Sequence, residues 1–267
     1  MKNFRNIIIN SSMLFVSAAV LQMTLHELGH FIAAILIHAK NVTLHHNYVS
    51  HQTGNLPLPQ AVFYAGAGPF VSLLVGVCFH FVCSRQKKRN LLFLFNLYLA
   101  VFGYIAFFGY LMVAPFFTYG DTGYIFRALN FPVWLTVSIA IIGGLFLYMV
   151  MCKLIRFFVE MGPVNIIADK KTRRIFMGCL IQYPLYIGIV ITTLLNLPTP
   201  SVLSLIYPIF SPFSLMWAYG KGISKAYPAD HMNTDISAIN QIQPVWVTIF
   251  FLIIVMNRLL AYGIIVN

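Results

Sequence analysis

The sequence predicts an all-α polytopic membrane protein with six to seven transmembrane helices and a short strand-like, membrane-associated segment after the first. Of the 267 residues, 60% are hydrophobic and only 9% are charged, and the mean hydropathy is +0.82. A soluble domain has about 25% charged residues. The apolar residues also form runs long enough for a bilayer core of about 30 Å, which requires about 20 helical residues. Short basic loops separate these runs.

The first predicted span covers residues 13–37, and the polar residues Asn10 to Ser12 precede it. The basic N-terminus followed by an apolar run is similar to a signal peptide. However, the apolar run is far longer than the hydrophobic region of a signal peptide. We therefore expect an uncleaved signal anchor.

A polar segment at residues 39–60 follows the first span. Its residues 42–45 alternate as in a short strand, and glycine and proline mark turns further on. The other predicted spans cover residues 61–83, 91–117, 131–151, 175–195 and 244–265. Residues 197–217 contain four prolines, so they form either a kinked sixth span or a re-entrant segment. Arg258, inside the last span, has no explanation in the sequence. The chain is interpreted as a single integral membrane domain, 1–267.

The net charge of +11 comes from 17 Lys and Arg against six Asp and Glu. These basic residues lie in short loops between apolar runs, which is typical of a topology signal and not of nucleic-acid binding. An N-terminus in the cytoplasm places 14 of the 17 on the inner side. The four cysteines are scattered without a C-x-x-C pair, so we expect neither disulfides nor a thiolate metal site.

The stretch His26-Glu27-Leu28-Gly29-His30 reads H-E-x-x-H inside the first apolar run. On a helix, residues four apart leave the same face, so the two imidazoles could bind one zinc ion. Glu27 could then act as a general base without being a ligand. Gly29 would leave room for a water or a substrate backbone. Ionisable residues are expensive at membrane depth, which favours a functional interpretation over solvated side chains.

Two further features are predicted to lie at the same membrane level as His26 and His30. Spans one and three run in the same direction, so Asp121, after span three, faces the same side, as do Gly68 and Pro69 at the start of span two. Asp121 is therefore the predicted third zinc ligand, with a fourth position open. The alternative third ligand is a histidine of the following loop: His45, His46 or His51.

These motifs resemble the site-2 protease family of intramembrane zinc metalloproteases. His26, Glu27 and His30 match its H-E-x-G-H motif, and Gly68-Pro69 matches its Gly-Pro helix, with Ser72 where the family usually has Asn. Gly120-Asp121-Thr122 stands where the family has Leu-Asp-Gly. The resemblance covers about residues 13–125, the predicted catalytic core; C-terminal helices at about 131–265 follow.

The resemblance implies a zinc-dependent endopeptidase that hydrolyses a peptide bond in or near a transmembrane segment of a membrane protein substrate. Glu27 would be catalytic, His26, His30 and Asp121 would bind Zn²⁺, and Gly68 and Pro69 would bind substrate. Residues 42–51 would hold an unfolded substrate stretch. The compact chain suggests a bacterial inner membrane. The family suggests a site near the cytoplasm, whereas the charge count places it toward the outer face.

Two other classes remain as alternatives. One is a non-catalytic zinc-binding membrane protein, either a degenerate relative or a transporter. The other is a membrane di-iron oxygenase, which needs about eight ligands from several histidine clusters. Only His45-His46 offers a second cluster here. The isolated His80 is interpreted as a core or interfacial side chain.

Overall fold

The computed structural model describes residues 4–199, 202–224 and 236–266. Within them, five helical stretches are long and apolar enough to cross a membrane. These stretches are α1 (Arg5–Leu36), α2 (Leu58–Arg85), α3 (Leu91–Val113), α5 (Val133–Glu160) and the composite Lys170–Leu195. Short helices α4 (Asp121–Ala128) and α6 (Val164–Ile167) flank α5. The composite consists of α7 (Lys170–Met177), a π-helical turn (Gly178–Gln182) and α8 (Tyr183–Leu195).

Helix α1 lies at the centre of the bundle and packs against α2, α3, α8 and α12 (Pro244–Leu260). It begins eight residues before the predicted span, so the prediction that Asn10 to Ser12 precede the helix was wrong. All three residues are buried, and Asn10 and Ser11 hydrogen-bond to other segments of the chain. Ser11 Oγ lies 2.6 Å from the Cys179 carbonyl oxygen, and Asn10 donates to the carbonyls of Ile239 and Gln241.

Helix α5 also extends beyond its predicted end at residue 151, to Glu160. The basic residues Lys153 and Arg156, which follow the predicted span, therefore lie on its last turns. Glu160 is buried and pairs with Arg89 at 2.6 Å and with Arg156 one turn before it on the same helix. The two arginines compensate the charge of Glu160, which would be costly to bury unpaired.

The strand-like segment after α1 is confirmed as part of a small antiparallel sheet. Strand β1 (Val42–Leu44) lies between β2 (Val49–Ser50) and β3 (Ile264–Val266). Thr43 is opposite Ser50 on one side and Ile265 on the other. The prediction that the last helix reaches residue 265 was therefore wrong. Helix α12 ends at Leu260, and the apolar residues after it form backbone hydrogen bonds with β1.

Residues 202–224 form four short helical segments. They are a 3₁₀ turn (Val202–Leu205), α9 (Ile206–Phe210), a second 3₁₀ turn (Ser211–Ser214) and α10 (Leu215–Ser224). Pro208 and Pro212 lie within this stretch and lack the backbone N–H that a continuous helix requires. Asn47 near the sheet donates to Asn196 before the stretch, whereas Arg173 donates to the Ile223 carbonyl near its end. The stretch therefore runs from one end of the bundle to the other.

We call these two ends the sheet end and the basic end. The sheet end contains β1 to β3 and the end of α1; the basic end contains the start of α1, residues 86–90 and α7. Helix α11 (Ser237–Asn240) is at the basic end, since Asn6 donates to the Asn240 carbonyl. Lys2 and Lys225, two of the charges used to predict topology, lie outside the described residues.

Candidate metal centre

His26, His30 and Asp121 bring three ligand atoms to one point near the sheet end. His26 Nε2 lies 3.0 Å and His30 Nε2 3.3 Å from Asp121 Oδ2, and the two Nε2 atoms are 3.2 Å apart. Zinc with bonds of about 2.0–2.1 Å in a tetrahedron separates its ligand atoms by about 3.3–3.4 Å. The three residues therefore form a group that could hold a metal ion.

The hydrogen bonds on the far side of both rings determine which nitrogen faces this point. His30 Nδ1 lies 2.8 Å from the Tyr64 carbonyl oxygen, which can only accept, so Nδ1 carries the proton. His26 Nδ1 lies 2.9 Å from Ser72 Oγ, and this hydroxyl donates to the Gly68 carbonyl. His26 Nδ1 therefore donates to Ser72.

With both Nδ1 atoms protonated, each neutral ring directs an Nε2 lone pair toward the other and toward a carboxylate oxygen. Three electron-rich atoms at 3.0–3.3 Å repel one another unless a cation or a shared proton lies between them. Two imidazole nitrogens and one carboxylate oxygen are a donor set that suits zinc. The residues therefore fit a divalent metal.

Asp121 reaches the site because the chain folds back after α3. It is the first residue of α4, which follows α3 and packs against α2. Thr122 Oγ1 donates to the Tyr110 carbonyl at 2.7 Å. A Cβ on Gly123 would stand 2.0 Å from the Phe117 carbonyl oxygen, so the turn requires glycine there. Burial raises the pKa of Asp121, but His30 and His26, when they are protonated, outweigh burial and hold that pKa well below its ordinary value.

The glycines of the two motifs have different surroundings. A Cβ on Gly68 would stand 2.3 Å from His30 Nε2 and 2.7 Å from His26 Nε2, so Gly68 leaves the space that a metal would use. Pro69, beside it, is buried within α2. A Cβ on Gly29 would stand 2.8 Å from the Ala67 carbonyl oxygen. The expectation that Gly29 leaves room for water or substrate was wrong, because α2 packs there.

The histidines of the loop after α1 pack against residues outside the metal centre. His45 stacks on Tyr48 with ring centroids 4.2 Å apart, and His51 packs edge-on against Tyr64. His46 is buried, and burial lowers its pKa. Among the residues that the structure describes, the three-residue group close enough to share a metal contains Asp121 and none of these histidines.

A cavity of about 780 Å³ opens beside the metal centre. Glu27, whose residue is 5% exposed, lines it. Its carboxylate is close enough for electrostatic interaction with His26, His30 and Asp121. Most of the other lining residues come from the end of α3, the segment before α4 and the broken stretch 202–217, including Tyr110, Gly120, Tyr207, Phe213 and Trp217. Glu27 therefore faces a space in which a substrate could lie.

No protein-family model, curated protein or solved structure matches this chain. The function must therefore be argued from the site itself. The sequence analysis named Ser72 only as a motif position and did not predict its hydrogen bond to His26, the bond from Gln22 to Ser72, or the bond from His30 to the Tyr64 carbonyl. Gln22 had a readable signal, because it is a polar residue in an apolar run and lies one helical turn before His26.

Proposed function

We propose that this protein is a zinc-dependent endopeptidase that hydrolyses a peptide bond in or near a transmembrane segment of a membrane protein. The observation that carries the proposal is the position of Glu27. It lies at the wall of a cavity of about 780 Å³, next to three ligand atoms within 3.3 Å of one another. A purely structural zinc site is closed by four protein ligands. Here three converge beside an open space.

His26, His30 and Asp121 would hold the metal. When bound, zinc supplies a Lewis acid that polarises a carbonyl and acidifies water. Glu27 takes a proton from the attacking water, whose oxygen forms a bond to the carbonyl carbon of the substrate. The same proton passes from Glu27 to the amine nitrogen as the C–N bond breaks. Glu27 is not a ligand, so metal binding and catalysis depend on different residues.

The five apolar helical stretches are an argument for a substrate that also lies in the bilayer. A helix in lipid hides its carbonyls in backbone hydrogen bonds, and an unpaired backbone group there costs several kcal/mol. The substrate must therefore unwind and find new partners. Within the described residues, β1 pairs on both sides, so outer edges remain on β2 and β3 only. Strand β2 is nearer to the site, because Tyr64 donates to the Val49 carbonyl and accepts from His30 through its own carbonyl.

The test compares wild type, Glu27→Gln and His26→Ala on a panel of transmembrane peptides, with zinc measured in each purified protein. We expect wild type to hold one zinc and to cleave. Glu27→Gln should keep the zinc and lose about 10²–10⁴-fold in rate, because general acid–base catalysis contributes that much. His26→Ala should lose both. If zinc-loaded wild type cleaves nothing, or Glu27→Gln cleaves as fast, the non-catalytic zinc-binding alternative replaces the protease.

A further inference from the structure

A chain of side-chain hydrogen bonds starts at His26 and leads away from the metal centre. His26 Nδ1 lies 2.9 Å from Ser72 Oγ, and Gln22 Nε2 donates to the same oxygen at 2.9 Å. Tyr207 then donates its hydroxyl proton to Gln22 Oε1 at 2.9 Å. The chain connects α1, α2 and α9, which are remote in sequence.

Each member of this chain has a defined direction of hydrogen bonding. Ser72 Oγ accepts from His26 and Gln22 and donates to the Gly68 carbonyl at 3.1 Å, so its single proton is used. The Tyr207 hydroxyl binds the oxygen of the Gln22 amide and so directs the amide nitrogen toward Ser72. A serine oxygen that already accepts and donates in this way leaves His26 Nδ1 the role of donor.

Burial makes it costly to break any hydrogen bond of this chain. Gln22 and Ser72 have no solvent exposure, and His26 is 1% exposed. Buried polar groups must find protein partners, since an unsatisfied one costs about 1–3 kcal/mol. Rotation of the His26 ring would leave several groups unpaired at once.

We propose that Ser72, Gln22 and Tyr207 are positioning residues for the metal ligand His26. They hold its imidazole with the proton on Nδ1 and the lone pair of Nε2 toward Asp121. Tyr207 also lines the cavity beside Glu27, so the chain connects the metal ligand to the broken stretch that forms the cavity wall. This inference rests on the proposed metal centre.

The two histidine ligands differ in a way that can be tested. His30 donates to the backbone carbonyl of Tyr64, which side-chain substitution does not remove. His26 donates to the side chain of Ser72, which substitution does remove. Loss of a hydrogen-bond partner behind a ligating histidine typically lowers metal affinity about 10–100-fold. We expect Ser72→Ala to show that loss, Gln22→Met a smaller one, and Tyr207→Phe a change of only a few fold.

The experiment measures the zinc dissociation constant of the purified full chain by chelator competition, and the visible spectrum of its cobalt form. Ser72→Thr is the rescue variant, because its hydroxyl can bind the carbonyl four residues back as Ser72 does. It should keep an affinity near wild type and the wild-type cobalt spectrum, whereas Ser72→Ala should change both. Ser17→Ala is the matched control on α1, since Ser17 is buried and its Oγ has no partner among the described residues. It should change neither.

The outcomes separate this inference from the protease proposal, because metal binding is measured without cleavage. The positioning role alone would be overturned if wild type binds zinc and if Ser72→Ala and Gln22→Met bind it with the same affinity and show the wild-type cobalt spectrum. Wild type that binds no zinc would remove the metal centre and this role together. If Ser72→Ala does not yield folded protein, Gln22→Met decides, and its failure to weaken zinc binding counts against the inference.

Discussion

Gly68 lies against the ligand nitrogen of His30, so that a Cβ added to it would stand 2.3 Å from Nε2. The space in question is the one that the metal would use. We therefore predict that Gly68→Ala loses most of its zinc while its helices remain folded. Zinc per chain in the purified variant is the measurement.

Gly66→Ala is the matched control for this substitution. It lies on the same helix two residues away, and a Cβ there would meet only Ile125 Cδ1 at an ordinary 3.7 Å. Zinc content should stay at the wild-type level. Equal zinc in Gly68→Ala and wild type would show that the metal does not lie between His26 and His30.

Asp121, and not a loop histidine, is predicted to be the third ligand. Asp121→Ala should lower zinc affinity by at least tenfold, because the carboxylate supplies the charge opposite both Nε2 atoms. His45→Gln and His51→Gln should keep full zinc, since their rings pack against Tyr48 and Tyr64. Retention of zinc in Asp121→Ala together with its loss in either histidine variant would reverse the assignment.

The sheet end is predicted to face outward and the basic end to face the cytoplasm, because the basic end carries most of the Lys and Arg. Lys88→Cys, exposed at the basic end, should react with an impermeant thiol reagent only from the cytoplasmic side. Asn55→Cys, exposed at the sheet end, should react only from outside. Both are made in a Cys78→Ala background, since Cys78 is exposed. The opposite pattern would place the metal centre toward the cytoplasm.

Arg258 stabilises the end of α8. This contact explains why an arginine is present in the last predicted span, for which the sequence offered no reason. Its guanidinium donates to the carbonyl of Leu195, one of the groups that a helix leaves unpaired at its C-terminus, and to the carbonyl of Leu197 just beyond the helix. Arg258→Leu should lower the free energy of unfolding by about 1–3 kcal/mol. Arg85→Leu, at an exposed arginine over Phe81, should change it by about 0.5 kcal/mol or less. Equal effects of the two would contradict the capping role.

The sequence by itself determined the class of fold and the centre of the site. Long apolar runs are enough to predict helices, because the backbone in lipid must satisfy its own hydrogen bonds. The spacing of His26 and His30 is enough to place both rings on one face, because helix geometry is local. The strand after α1 was also readable, from alternation over a few residues.

The boundaries of the elements depended on distant partners. Asn10 to Ser12 looked like residues outside a helix, but they lie buried in α1, where the carbonyls of Cys179, Ile239 and Gln241 accept hydrogen bonds from Ser11 and Asn10. Residues 264–266 looked like the end of a span, but β1 pairs with them across more than 200 residues of chain. Composition alone does not predict such distant partners.

Only the tertiary structure decided what surrounds His26. The fold back after α3 brings Asp121 to 3.0 Å from Nε2 and excludes the loop histidines from the group. The same packing sets Ser72 and Gln22 behind the ring. Helix periodicity predicts which side chains share a face. Which neighbouring helix covers that face depends on long-range packing and on the need to satisfy buried polar groups.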